Sequence, residues 1–167
     1  DTLSLHDALP ICIRYLAFEW RKKYAREVAH RAEKHGLTRL KVIEGDARIV
    51  VPKIFAPNSL DVIHLQFPDP WWKKRHEKRL VFGQTLLESI ARLLIDGGEF
   101  FVQTDVEERA VMYEEQMATQ PELEPFGDVE GSARMVENPY QARSPREHRS
   151  IADGLPVHRL RYRRKAR

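Results

Sequence analysis

The sequence predicts an α/β protein with a mostly parallel sheet and helices on both faces. Strand-like and helix-like stretches alternate along the chain, as they do where helical crossovers join parallel strands. Several of the predicted strands are followed at once by a carboxylate, which is typical of a ligand-binding sheet edge. The chain has 167 residues, of which 42% are hydrophobic and 32% are charged, so one globular domain with a single core is expected.

The first part of the chain contains three predicted strands and two helices. Residues 11–20 are rich in β-branched and aromatic side chains, which favours a strand. Residues 21–35 have apolar side chains at helical spacing. Strands are also expected at 39–43 and 60–67, and residues 47–55 between them form a short helix or turn. Each helix therefore follows a strand.

The second part of the chain continues this alternation. Residues 80–95 are the clearest amphipathic helix, and a Gly-Gly turn ends it. A strand at 99–104 and an acidic helix at 106–119 follow. Residues 120–137 show little pattern, and 156–164 alternate loosely as a final strand.

Four carboxylates lie at or just after the ends of predicted strands: Glu19, Asp46, Asp69 and Asp105. Because the carboxyl ends of parallel strands share one edge of a sheet, these side chains are expected to line one rim. Glu19 is placed to accept hydrogen bonds from ribose hydroxyls. Asp46 could receive an adenine amino group or cap the following helix, and the two roles are compatible.

The segment FPDPWWKKRHEKR follows the third strand. Two prolines restrict the backbone around Asp69, which fixes the position of its carboxylate. Trp71 or its neighbour offers a flat surface on which a base can stack, while Lys73 and Arg75 can hold phosphates. The alternative is that the tryptophans fill the core beneath a surface loop. The combination favours a substrate-binding loop.

The net charge is only +3, but its distribution is uneven. One basic group lies at 73–79 and a second at 159–167. Such groups suggest a polyanionic partner, and the alternative is a solvated face followed by a disordered tail. Cys12 is the single cysteine, so no internal disulfide is possible and a reducing cytoplasm is expected. No apolar run approaches the roughly 20 residues that cross a bilayer.

These motifs resemble the bacterial tRNA (guanine-N7-)-methyltransferases. PDPWWKKRHEKR is similar to the PDPW-KKRH-KRR motif of that family, and DGGEFFVQTD is similar to its PGG-x-F-x-x-x-TD stretch. FEWRKKYA and VIEGDA resemble the family's two upstream stretches. ARSPREHR stands where the family has T-[KN]-[FY]-E-x-[KR], although Pro145 and Arg146 replace its polar–aromatic pair.

The resemblance implies a Rossmann-like class I methyltransferase that uses S-adenosyl-L-methionine to methylate N7 of a guanosine in tRNA. Asp69 would be the catalytic or methyl-proximal acid. The residues expected at the cofactor are Glu19, Asp46, Ala47 and Asp69. The residues expected at the substrate are Trp71, Lys73, Arg75 and Asp105, with Ser144, Arg146 and Glu147 in a substrate-side loop.

The glycine-rich turn that opens such a fold is not found in the sequence. The first strand and glycine loop are therefore expected to be missing, and residues 1–10 are interpreted as a non-native leader before a domain at 11–167. A divergent native N-terminus is the alternative. Without the central strand, unpaired strand edges and weak cofactor binding are expected.

Two other functions are compatible with the residues. One is a methyltransferase with another substrate, and the other is an RNA-binding remnant without catalysis. His76, His148 and His158 are too scattered to indicate a metal site, and none is expected. The sequence indicates no oligomeric state.

Overall fold

The computed structural model describes residues 13–68, 81–140 and 142–167. The predicted leader at 1–10 and the site residues Asp69, Trp71, Lys73 and Arg75 lie outside these ranges. The described chain forms two compact units. The first contains the described residues up to Lys53 with Tyr140 and Ala142, and the second contains the remainder.

The first unit contains two strand–helix pairs. Its elements are β1 (Tyr15–Glu19), α1 (Lys22–Lys34), β2 (Leu40–Glu44) and α2 (Ala47–Ile54). The strands pair in parallel, from Tyr15 opposite Leu40 to Glu19 opposite Glu44. Gly36 ends α1 in the left-handed conformation, with a φ of 64°, which places β2 beside β1.

The second unit contains a five-stranded sheet and three helices. Its elements are β3 (Leu60–Gln66), α3 (Gln84–Leu93), β4 (Leu94–Thr104), α4 (Glu107–Met117), β5 (Leu123–Pro125), β6 (Arg134–Met135), α5 (Pro145–Ala152) and β7 (His158–Arg164). The strand order is β3-β4-β7-β5, and β6 also pairs with β7. β3 and β4 are parallel, whereas β7 runs antiparallel to β4, β5 and β6.

The two faces of this sheet are covered differently. Phe100 and Val102 of β4 lie on the face covered by α3 and α4, in a continuous core that also contains Tyr113. Their neighbours along β4 lie on the opposite face because side chains alternate along a strand. On that face Arg159 of β7 is bonded to Glu147 of α5. Helices therefore lie on both faces, as predicted.

Most predicted elements agree with the structure, with three differences. β4 begins at Leu94 instead of residue 99, because Gly97, with a φ of 78°, forms an irregularity inside the strand. β5 and β6 fall in the stretch that showed little pattern. Helix α5 was not predicted at all.

The second basic group lies largely in β7 and is paired within the protein. Each of its six cations has at least one partner: Arg159 with Glu147, Arg161 with Glu99, Arg163 with the Phe126 ring, Arg164 with the Ala91 carbonyl, Lys165 with the Pro121 carbonyl, and Arg167 with Asp96. These cations hold β7 to its neighbours. The group is therefore not a disordered tail, and it does not form a surface of unpaired cations that could bind a polyanion.

Candidate active site

Two of the three carboxylates expected at the cofactor, Glu19 and Asp46, lie at one edge of the first unit's sheet. Glu19 ends β1 opposite Glu44, and Asp46 follows two residues after Glu44. Oε1 of Glu19 accepts the Arg21 N–H at 2.8 Å. Both residues therefore follow the carboxyl ends of adjacent parallel strands, where ligands bind in such sheets.

Asp46 caps α2 and also pairs with an arginine. Its Oδ1 accepts the Arg48 N–H at 3.0 Å, which is an N-cap bond, and Nη2 of Arg48 lies 2.5 Å from its Oδ2. The side-chain hydrogen bond from Arg48 lowers the pKa of Asp46, although partial burial opposes this. The carboxylate is consequently charged and fixed in orientation at neutral pH.

This donor and acceptor chemistry fits the nucleoside part of a cofactor. Glu19 and Asp46 offer carboxylate oxygens, which accept hydrogen bonds only, and ribose hydroxyls and an adenine amino group can supply the donors. Both side chains are partly exposed at the strand ends. Ala47 begins α2 beside Asp46.

The chain leaves β3 in a strained conformation. Phe67 has a φ of 45°, which is rare for a residue with a large side chain and costs about 1–3 kcal/mol. Its N–H donates to the Gln103 carbonyl at 2.8 Å, so β4 holds this conformation in place. Pro68 follows, and the predicted catalytic residue Asp69 lies immediately outside the described residues.

The residues expected in a substrate-side loop are instead at the start of a helix. Ser144 is the N-cap of α5, Pro145 is its first residue, and Oγ of Ser144 accepts the Glu147 N–H at 3.1 Å. The prediction of a loop is therefore wrong. The S-x-x-E spacing with proline at the first helical position is a known helix-start signal and would have predicted α5.

Arg146 of α5 and Asp105 form an ion pair at the end of β4. The Oδ2 of Asp105 accepts hydrogen bonds from Nε and Nη2 of Arg146, the former at 3.0 Å, and from the Ser150 hydroxyl at 3.3 Å. The Asp105 side chain is only 11% exposed, whereas that of Arg146 is 51% exposed. The structure therefore brings two of the predicted substrate residues together, with the arginine facing solvent.

Glu147 is fully buried and anchors α5 to the sheet. Its Oε1 accepts from Nη2 of Arg159 at 2.8 Å, and its Oε2 accepts from Asn138 at 3.1 Å. Burial disfavours the charged form, but these hydrogen bonds outweigh it and hold the pKa of Glu147 below its usual range. Arg159 also donates to the carbonyls of Val136 and Val157.

Sequence reasoning did not identify three residues that support this arrangement: Ser150, Arg159 and Asn138. The signal for Ser150 was its place three residues after Glu147, on the same side of a helix. No local pattern could have predicted the contacts of Arg159 and Asn138, because sheet pairing and a loop bring them to Glu147.

Comparisons with known proteins agree with this architecture. Residues 9–160 match a protein family described as "Putative methyltransferase". The tRNA (guanine-N(7)-)-methyltransferase of Myxococcus xanthus is 49% identical over 152 residues, covering 89% of this chain and 71% of the relative. The protein of the same name from Anaeromyxobacter dehalogenans is 40% identical over 147 residues, covering 87% and 71%.

Solved structures share the fold at low sequence identity. A SAM-dependent O-methyltransferase from Thermotoga maritima aligns with a TM-score of 0.56 and 17% identity over 92% of this chain and 51% of its own. An rRNA methylase from Streptococcus thermophilus aligns with a TM-score of 0.55 and 12% identity over 92% and 74%. Together with the family match, these similarities place the chain in the methyltransferase family that contains the bacterial tRNA (guanine-N(7)-)-methyltransferases.

Proposed function

We propose that this protein transfers a methyl group from S-adenosyl-L-methionine to N7 of a guanosine in tRNA. The observation that carries the proposal is the 49% identity, over 89% of the chain, to a relative named for that reaction. The positions of Glu19, Asp46 and Asp105 at strand ends support it, because ligands bind there in an α/β sheet. We also propose a cytoplasmic location, since tRNA is the substrate.

The first unit would hold the cofactor. Glu19 would accept hydrogen bonds from the ribose hydroxyls, and Asp46 would accept one from the adenine amino group, next to Ala47. The bound cofactor supplies an electrophilic methyl group. Arg48 keeps the Asp46 carboxylate charged and oriented. The charged carboxylate accepts hydrogen bonds only, which suits this role better than a protonated carboxyl group.

The substrate requires little activation by the protein. N7 of guanine already has a lone pair, so no general base is needed, and methylation makes the ring cationic. A fixed carboxylate at Asp69 would favour that charge in the transition state, or it would orient the base by accepting hydrogen bonds from its N1–H and N2–H edge. Trp71, Lys73 and Arg75 would contact the tRNA beside it.

The test is methyl incorporation from labelled S-adenosyl-L-methionine into unmodified tRNA, followed by digestion to nucleosides. The expected product is 7-methylguanosine. A different methylated nucleoside would contradict the proposed substrate atom. Retained tRNA binding without any incorporation would contradict catalysis and favour a non-catalytic RNA-binding protein.

The variant Asp69→Asn probes the catalytic role. We expect it to lower the single-turnover methylation rate far more than it lowers tRNA affinity, because it removes the negative charge and keeps the size. Glu19→Gln serves as the comparison and should mainly weaken cofactor binding. A rate that stays unchanged in Asp69→Asn while tRNA affinity falls would exclude charge stabilisation.

A further inference from the structure

Positive charge is distributed unequally between the two units. The described residues of the first unit, at positions 13–53, contain eleven lysines and arginines against five acidic residues, which is a net charge of +6. The described residues of the second unit contain twelve against sixteen, which is a net charge of −4. Within the described residues, the excess of positive charge is therefore confined to the first unit, which is the unit that would attract a polyanion.

Helix α1 carries much of this charge on its outer surface. Ala25 and Ala32 are buried and define the inner side of the helix. The opposite side carries four exposed basic side chains, three or four residues apart, which we call the α1 row: Lys23, Arg26, His30 and Lys34. At about 1.5 Å per residue, the row is roughly 16 Å long. It is thus a continuous basic strip along one side of the helix.

The α1 row is not neutralised by the protein. Within the described residues, the side chains of its two lysines and its arginine make no ion pair or hydrogen bond. The helix has two acidic residues, which flank the row. Glu27 pairs with Arg31 at 2.6 Å, and Glu33 is exposed. The β7 cations differ, because each of them has a partner within the protein. The charge of the row is therefore available to a partner from solution.

The positive charge does not stabilise α1 itself at the N-terminal end of the helix. Arg21 is the N-cap, Lys22 and Lys23 follow it, and the first turn contains no acidic residue. Positive charge at this end opposes the helix dipole, which favours acidic residues there. Lysines that oppose the dipole, and that have no side-chain partner among the described residues, indicate a role outside the folding of the helix.

We propose that the α1 row binds the phosphate backbone of the tRNA, as a contact surface outside the residues assigned to the cofactor and the guanosine. The proposal rests on the proposed function for the identity of the RNA. Lysine and arginine neutralise phosphates without reading base sequence, so the row contributes affinity and orientation. The row contains no large apolar side chain that could enter a lipid surface, which favours RNA over a membrane.

The first experiment measures tRNA affinity at several salt concentrations for one triple variant of the row: Lys23→Gln, Arg26→Gln and Lys34→Gln. Each phosphate contact that is lost should lower the slope of log affinity against log salt by about 1. We expect the slope to fall by about 2–3 and the affinity to weaken at least about tenfold. An unchanged slope would overturn the proposal.

The matched control removes the same charge from the same unit, near the beginnings of β1 and β2: Arg14→Gln, Arg39→Gln and Lys41→Gln. These three side chains are exposed as well, and the control should change the slope by less than about 1. An equal loss of affinity and slope in the control and in the triple variant would show that only net charge matters. That result would overturn a specific role for the α1 row.

Thermal denaturation separates binding from folding. Glutamine has a helix propensity close to those of lysine and arginine, so the triple variant should melt close to the wild-type temperature. If it melts lower, the double variant Lys23→Gln/Arg26→Gln repeats the test, because it keeps Lys34 at the end of the helix that favours cations. A lower melting temperature with unchanged tRNA affinity would assign the row a structural role and overturn the proposal.

The outcomes also separate this inference from the proposed function. If the triple variant weakens tRNA binding but the wild type forms no 7-methylguanosine, the α1 row stands and the methyl-transfer proposal fails. If methylation proceeds, the triple variant should raise KM for tRNA and leave kcat unchanged, because the row does not touch the reacting atoms. A variant that keeps its tRNA affinity and loses binding to vesicles of equal parts phosphatidylserine and phosphatidylcholine would overturn the proposal in favour of a membrane. Failure of the wild-type protein to bind tRNA would overturn it as well.

Discussion

The two compact units differ sharply in how they are packed. The buried apolar residues of the first unit are few and mostly small: Ala25, Ala32, Leu37 and Val51. The second unit has a continuous core of 14 buried residues, in which Leu87, Phe100 and Tyr113 are fully inaccessible. The proposed cofactor carboxylates Glu19 and Asp46 thus belong to the weakly packed unit, and helix α5, with the predicted substrate residues Ser144, Arg146 and Glu147, belongs to the tightly packed one.

Exposure of apolar side chains shows the same difference. Of the 41 residues at positions 13–53, six are exposed large apolar residues, whereas the 99 described residues of the second unit include seven. The six are Ile13, Leu16, Trp20, Tyr24, Val28 and Ile49. Within the described residues β1 has β2 as its single strand neighbour, and β3 has β4 as its single one. Because apolar burial is the main favourable contribution to folding, most of that contribution comes from the second unit.

The largest expected effect comes from the core of the second unit. Phe100→Ala should lower the free energy of unfolding by about 3–5 kcal/mol, because it removes a fully buried ring from a packed cluster. Val51→Ala in the first unit should cost only about 1–2 kcal/mol. Urea denaturation followed by circular dichroism measures both. Equal losses would contradict the unequal packing of the units.

The next largest effect is the loss of unfolding free energy when a buried ion pair is broken, compared with the loss when an exposed pair is broken. Arg159→Met leaves Glu147 buried without its main partner and should cost roughly 3 kcal/mol. Arg31→Met removes the partner of Glu27, a pair with side chains 62% and 46% exposed, and should cost no more than about 0.5 kcal/mol. Chemical denaturation of both variants checks the difference, and similar costs would argue against an anchoring role for Glu147.

Sequence patterns predicted the elements whose burial is periodic. The helix α3 has Leu86, Leu87 and Ile90 on one side, and residues 100–104 of β4 are all buried, so both were visible as apolar patterns. β5 and β6 were not predicted because they contain three and two residues, too few to show a period. Their place in the sheet depends on pairing with β7, which local sequence does not encode.

The candidate site was predicted unevenly for a similar reason. Glu19, Asp46 and Asp105 were identified because each follows a strand, which is a local signal. The arginine bonded to Asp105 was expected at the substrate, but its bond to that carboxylate joins residues 41 positions apart. Such a contact depends on the folded sheet and could not be read from spacing.

Hydrogen exchange should reveal the packing difference without any mutation. We expect amides of β1 and β2 to exchange at least about tenfold faster than amides of β4, because local opening requires less energy where fewer apolar contacts must be broken. Exchange monitored by mass spectrometry resolves the two regions as separate peptides. Equal protection would mean that both units open only by global unfolding.

The smallest expected effect is a pH dependence that belongs to the second unit. Burial raises the pKa of Glu147, but its hydrogen bonds, that from Arg159 foremost, outweigh this and hold the pKa below its ordinary value of 4.5. A pKa that is lower in the folded state gives a stabilisation that is complete above the unfolded value and is lost as pH falls through the folded one. Unfolding free energy should therefore decline below about pH 4.5, with at most about 1.4 kcal/mol per pH unit from this group. Glu147→Gln should flatten that decline, and an unchanged slope in the variant would assign the acid sensitivity to other carboxylates, such as Asp46 in the first unit.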